Sequence, residues 1–285
     1  MASINLKSWL VRSLSGLVYV GAIVGCVFWG RIPFSILMAL IGILAVVEFE
    51  KICEGISENN LPLLILDAVG VVFLAFGYIG VPLIAWIFVF LCRLILQLYT
   101  TNDRPIRSMA LSFMTQIYIG GPIMLLNFLS TWIGTHLALA IFLMIWINDT
   151  GAFVVGSLFG RHRLFERISP KKSWEGFFGG LAFNCLAGWL FAIGGTTFWD
   201  TNWNVITWIL FALTITLFST WGDLVESLIK RSLNIKDSGH IMPGHGGILD
   251  RIDSLLLVAP AAFLFILIAE ICGQNVIPFH HPPFF

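Results

Sequence analysis

The chain has 285 residues, 58% of them hydrophobic and 11% charged, with a formal net charge of zero. A soluble domain carries roughly 25% charged residues, so this composition excludes a soluble domain of any size. A net charge of zero offers no field for a polyanion, and no nucleic-acid partner is expected.

Apolar runs of about 20 residues, the length that crosses a bilayer, recur along the whole chain. The first runs from Ser13 to Gly30, behind Lys7 and Arg12. It has the look of a signal peptide, and Ile23-Val24-Gly25-Cys26 that of a lipoprotein cleavage box. Its spanning length and the runs that follow favour a first transmembrane helix. Further spans are expected over 32–49, 61–79, 81–99, 108–130, 134–158, 176–195, 204–222 and 251–272. Pro33, Pro62 and Pro82 stand at starts, where proline is tolerated. Pro122 and Pro260 fall inside spans and predict kinks. The fold class is therefore all-α, a polytopic membrane protein of about nine transmembrane helices. Its expected division is an N-terminal scaffold over 1–130 and a C-terminal catalytic region over 131–285.

Nine spans put the two termini on opposite sides. Every Lys and Arg except Arg31 and Arg93 then falls on the N-terminal side, which orients that side to the cytoplasm. Arg93, inside the fourth span, reads as snorkelling to the cytoplasmic edge rather than pairing with an acid; Asp67 in the third span has no obvious role. Cys26, Cys53, Cys92, Cys185 and Cys272 have no paired spacing and read as small buried hydrophobes. His280 and His281 belong to a fraying tail. Gly21–Gly25, Gly156–Gly160 and Gly176–Gly180 have helix-contact spacing.

Charge gathers in two segments of the C-terminal half. In the first, Asp149 lies deep in an apolar run between Asn148 and Thr150, so it must face the protein interior or a wet cavity. A helix-packing polar group is the alternative. After Gly160-Arg161-His162-Arg163 comes Ser169-Pro170-Lys171-Lys172-Ser173-Trp174-Glu175-Gly176. Ser173 before Glu175 and an apolar run can start a helix, and helix N-termini bind phosphate. Lys171, Lys172 and the two hydroxyls add to that; the alternative is an ordinary positive-inside loop.

The second segment runs from Gly222 to Asp253. On a helix, Asp223, Glu226, Ser227 and Lys230 share one face, and Asp250, Asp253 and Ser254 repeat the spacing at the start of the last span. Between them Gly239, Gly244, Gly246 and Gly247 let backbone approach a ligand closely. Carboxylates across such a loop suit a hard cation with oxygen ligands, Mg²⁺ first. The alternative is a juxtamembrane loop whose charges pair with each other and with lipid headgroups.

Ser227-Leu-Ile-Lys230-Arg231, then Lys236-Asp237-Ser-Gly239, then Pro243-Gly-His245-Gly246-Gly247-Ile-Leu-Asp250-Arg251-Ile-Asp253 resembles the signature of the CDP-diacylglycerol synthase, or phosphatidate cytidylyltransferase, family. Ser169-Pro-Lys-Lys-Ser-Trp-Glu-Gly176 and Asp149-Thr-Gly look like family motifs too. The resemblance is dense over 145–272 and general before that. Met242 stands where Leu, Ile or Phe is usual, and Ser173 where Thr is usual.

The resemblance implies a reaction: CTP and phosphatidate give CDP-diacylglycerol and pyrophosphate. It implies a homodimer in the cytoplasmic (inner) membrane, with the active site open to the cytoplasm and to membrane lipid. Asp223 and Asp250 are the implied metal ligands, for Mg²⁺ with K⁺ beside it; Asp149 and Asp253 are further metal candidates. Ser169, Lys171, Lys172, Ser173, Lys236, Asp237, Gly246 and Gly247 are candidates for binding substrate. Lys230, Arg231, His245 and Arg251 would neutralise phosphates. A secondary transporter would show a repeat between halves and a midplane site, and no repeat is visible. A CTP-dependent polyprenol kinase would differ in its products, and a non-enzymatic scaffold would not need such dense polar motifs.

Overall fold

Proline and glycine set the helix boundaries in the N-terminal half. Gly30 at φ +116° separates α1 (Leu6–Trp29) from α2 (Arg31–Cys53), a backbone state that side chains disfavour. Pro62, Pro82 and Pro105 open α3 (Leu61–Ala75), α4 (Val81–Leu96) and α5 (Pro105–Thr115), where a missing N–H leaves no bond unmade. The computed structural model describes residues 6–53, 60–100, 104–194, 198–199, 201–239 and 246–272, with side chains from residue 13 onward.

The span expected over 108–130 is one interrupted rod. α5 passes through a π-turn at Gln116–Gly120 into α6 (Gly121–Trp132). Pro122 cannot donate to the carbonyl one turn back, and the wider turn just before it absorbs the mismatch. Then follow α7 (Thr135–Phe159), α8 (Trp174–Ile193), α9 (Val205–Ser232) and α10 (Leu249–Ile271), the last with Pro260 inside. α9 runs on past the expected end at residue 222, so Asp223 to Lys230 are helical, as their spacing required.

Among the described residues, seven helices are long and apolar enough to cross a membrane. Ser13–Trp29 and Leu61–Ala75 are apolar but shorter. The protein is an all-α polytopic membrane protein with one small departure. The segment between α7 and α8 is an antiparallel hairpin, β1 (Arg163–Phe165) against β2 (Ser169–Ser173), rather than a plain loop.

The chain forms two compact units: residues 1–127 with 233–252, and residues 128–232 with 253–285. The first holds α1–α5 and a polar network inside the apolar helices. Arg93 corrects the sequence reading: it does not snorkel. Its Nε donates to Asp67 Oδ2 at 2.9 Å, with side chains 3% and 1% exposed. Nη1 donates to Gln97 Oε1, and Nη2 to the carbonyl and hydroxyl of Ser108. Ser112 donates to the other Asp67 oxygen, and Gln116 to its backbone carbonyl. A charge this deep is tolerated because it is paired with Asp67 and each of the three guanidinium nitrogens finds an acceptor.

In the second unit, glycines let α7 and α8 close on each other. A Cβ on Gly176 would meet the Ala152 carbonyl at 2.9 Å, and one on Gly156 would meet the Gly176 Cα at 3.3 Å. The small-residue spacing at Gly156 and Gly176 is thus a helix contact, whereas a Cβ on Gly21 or Gly25 would meet nothing within 4 Å. Side-chain amides join the helices inside the apolar layer: Asn148 to Ser219 across α7 and α9, and Asn184 to Thr216 across α8 and α9.

Candidate active site

Local chemistry fixes the entrance to α8. Ser173 is its N-cap, the hydroxyl accepting from Gly176 N at 3.2 Å. Glu175, in the first turn, accepts the backbone N–H groups of Arg161 and His162 and lies 2.6 Å from His162 Nδ1. The carboxylate therefore ties the exit of α7 to the start of α8. Trp174 N donates to the His162 carbonyl at 2.9 Å and extends the hairpin. Lys171 and Lys172 are held on a short strand, at the lip of a helix N-terminus.

That lip borders a cavity of about 600 Å³ within the second unit. The volume is in the range of small-molecule sites. α7 contributes Asn148, Asp149 and Ser157 to its lining. The hairpin contributes Arg163, Lys171 and Lys172, and α9 contributes Thr220 and Asp223. Ser173 and Gly176 add the cap of α8, while Phe153 and Phe177 add apolar wall. Asp149, Lys171, Lys172, Ser173 and Asp223, drawn from 75 positions of sequence, meet here.

Lys172 Nζ lies 2.6 Å from Asp223 Oδ2, and the two side chains remain 26% and 34% exposed. Asp223 Oδ1 accepts from Ser227 Oγ at 3.1 Å, one turn along α9. Lys230, a candidate phosphate contact, is paired with the buried Glu226, also one turn away. Asp253 lies within electrostatic reach of Asp223, Glu226 and Asp149. Ser169 is half-buried at the start of β2, and Arg231 is exposed at the end of α9.

The remaining candidates lie in the first unit. Asp250 Oδ2 accepts Gly247 N at 2.9 Å and Ser238 N at 3.2 Å, so it pins both flanks of the glycine-rich segment. Gly246 adopts φ +83°, and a Cβ there would press on that carboxylate. Lys236, Asp237 and Arg251 are exposed. His245 lies outside the described residues.

Mg²⁺ keeps most of its waters and leans on substrate phosphates, so one or two carboxylates suffice. Asp149 and Asp223 line one cavity and fit that demand. Among the described residues no set of three or more His, Cys, Asp or Glu is gathered into a cage.

Two contributors were missed from the sequence. Arg163 was visible as one base of a basic run, with nothing to set it apart. Glu48, in α2, is 3% exposed and accepts Leu249 N at 2.9 Å and Ser238 Oγ at 3.3 Å. An acid inside an apolar run was signal enough to flag it.

Fold and site together define a polytopic α-helical membrane protein with a half-open cavity in which acids of two helices face bases of a hairpin. Residues 10–269 match the profile of the Cytidylyltransferase family, and the chain belongs to that family. The phosphatidate cytidylyltransferase of Staphylococcus saprophyticus is 46% identical over 129 residues, which are 45% of this chain and 47% of that protein. The protein of the same name from Staphylococcus aureus (strain COL) is 47% identical over 129 residues, with the same shares. The chain spans about half the length of the curated relatives it matches.

Proposed function

We propose that this protein transfers a cytidylyl group from CTP to phosphatidate, giving CDP-diacylglycerol and pyrophosphate for phospholipid synthesis. The observation that carries the proposal is the cavity of the second unit, where Arg163, Lys171 and Lys172 face Asp149 and Asp223. The names of the relatives support the choice of lipid.

The chemistry suits these residues. A phosphate monoester has a second pKa near ~6, so the lipid nucleophile is already anionic at neutral pH. One of its oxygens attacks the α-phosphorus of CTP. The bond from that phosphorus to the α–β bridging oxygen breaks, and pyrophosphate leaves with the electron pair. No residue has to remove a proton from the nucleophile. The obstacle is repulsion between two polyanions, and fixed cations aimed at the phosphates lower it. Arg163, Lys171 and Lys172 hold the triphosphate, while Phe153 and Phe177 keep one wall apolar. Mg²⁺, when bound, would supply further neutralisation of phosphate oxygens, held by Asp149 and Asp223. Asp250, and a K⁺ ion beside the Mg²⁺, enter on the family resemblance alone. Arg231, His245 and Arg251 are assigned to phosphate neutralisation on the same ground.

The proposal extends to topology: nine spans, a cytoplasmic N-terminus, an active site on the cytoplasmic face of the inner membrane, and a homodimer. Segregation of the bases supports the orientation. The experiment is a product assay on purified protein with phosphatidate, Mg²⁺ and CTP labelled at either the α- or the γ-phosphorus. The α-label should enter lipid and the γ-label pyrophosphate. A γ-label in lipid, with CDP released, would replace the proposal with a CTP-dependent lipid kinase.

A further inference from the structure

The described flanks of the glycine-rich segment, Ser238–Gly239 and Gly247–Leu249, rest on a residue far from them in sequence. Glu48 Oε2 accepts the N–H of Leu249, the first residue of α10, at 2.9 Å, and the hydroxyl of Ser238 at 3.3 Å. The first N–H groups of a helix have no partner within it, and a carboxylate there also meets the positive end of the helix dipole. Glu48 is thus the N-terminal cap of α10, supplied from α2.

The fit around it is close on both sides. A Cβ on Gly239 or on Gly247 would fall on the Glu48 carboxylate, so glycine is required for the chain to pass over it. The other oxygen, Oε1, is buried without a hydrogen-bond partner among the described residues. Burying an unpaired polar atom is unfavourable, and it persists where other contacts hold the group in place. Asp250 completes the arrangement from above, accepting Gly247 N and Ser238 N. Ser238 therefore gives its hydroxyl to Glu48 and its amide to Asp250, and the two acids grip the same flanks of the segment.

We infer that Glu48 is a positioning residue: it fixes Ser238, Gly247 and the start of α10, and through them sets the orientation of the Asp250 carboxylate. The role given to Asp250 rests on the proposed cytidylyl transfer; the grip on the segment does not. CTP is assigned to the cavity of the other unit, so Glu48 should act on turnover rather than on CTP requirement.

The test uses full-length protein in detergent, with Glu48→Ala and Glu48→Gln. Glutamine keeps an oxygen that accepts from Leu249 N; alanine keeps none. Two readouts are taken: steady-state kinetics in CTP, and the rate of tryptic cleavage after the exposed Lys236 against that after Arg161 and Lys171. Glu48→Ala should lower kcat at least tenfold with KM for CTP within about twofold. It should speed cleavage at Lys236 severalfold and leave the hairpin sites unchanged. Glu48→Gln should stay within about threefold of the parent in both. If Glu48→Ala leaves Lys236 cleavage unchanged, or speeds hairpin cleavage equally, the positioning role is overturned. It is equally overturned if Glu48→Gln is as damaged as Glu48→Ala, because charge and not the hydrogen bond would then be what matters. If the parent protein makes no CDP-lipid, the functional proposal fails, and the proteolysis still decides the role of Glu48.

Discussion

Each unit contains a close acid–base pair, one between two helices and one between a helix and the hairpin, and the two are built differently. Asp67 and Arg93 are almost wholly buried, and the guanidinium spends its donors on Asp67, Gln97 and Ser108. Asp223 and Lys172 make one contact at 2.6 Å, stay about a quarter to a third exposed, and line a cavity. A buried pair whose guanidinium nitrogens all have acceptors has little capacity left for a ligand, and its work is to fix helices. A half-open pair made by a flexible ammonium can exchange its partner for a phosphate or a metal. Burial and saturation, more than the presence of charge in the membrane, separate scaffold from site.

The largest effect expected from this contrast is at Asp223. Asp223→Asn keeps size and removes the charge that holds a divalent ion, so turnover should fall at least ~100-fold, equivalent to about 2.7 kcal/mol of transition-state stabilisation. The protein should still insert and purify as before, since a charge near the bilayer is lost rather than gained. Turnover close to the parent's would move the metal to Asp149 or Asp253.

Breaking the other pair should do the reverse. Arg93→Ala leaves Asp67 buried without its counter-ion, a change that destabilises by about 3–5 kcal/mol in buried pairs. Thermal unfolding in detergent should show a lowered midpoint, while the protein that remains folded keeps its CTP requirement. Replacing both partners by apolar residues, Asp67→Leu with Arg93→Met, should recover most of the loss. An Arg93→Ala variant of unchanged stability would contradict the structural role.

Smaller effects belong to the hairpin. Lys171→Ala should raise the CTP requirement about tenfold, the size of one charge-assisted hydrogen bond, with little change in stability because Lys171 is exposed. Ser173→Ala removes the α8 cap and should lower stability by ~1 kcal/mol, read from the same unfolding curves. An unchanged CTP requirement in Lys171→Ala would reduce this segment to a topology signal.

What the sequence disclosed follows the range of each interaction. Helix existence was legible, because an apolar run of spanning length has one physical outcome. Ser173 as a cap was legible too, since capping is a matter of three residues. The face shared by Asp223, Ser227 and Lys230 followed from helical spacing. The hairpin was hidden by Pro170 and two lysines, none of them strand signals. Arg93 was misjudged because hydropathy says nothing of which neighbour stands at the same depth; its partner is 26 positions away, on another helix. Glu48 had its partners 190 and 201 positions downstream, beyond any local rule. The cavity itself could be suspected from charge density along the chain, but the meeting of Asp149, Lys172 and Asp223 is a product of packing.

The central claim is that the charged cavity of the second unit, and not the glycine-rich segment of the first, holds the CTP triphosphate. Lysine acetylation followed by mass spectrometry tests it directly, on the purified protein with and without CTP and Mg²⁺. Lys171 and Lys172 should be protected by nucleotide, while Lys236 and Lys51 react as before. Protection at Lys236 with Lys171 and Lys172 unaffected would contradict the assignment.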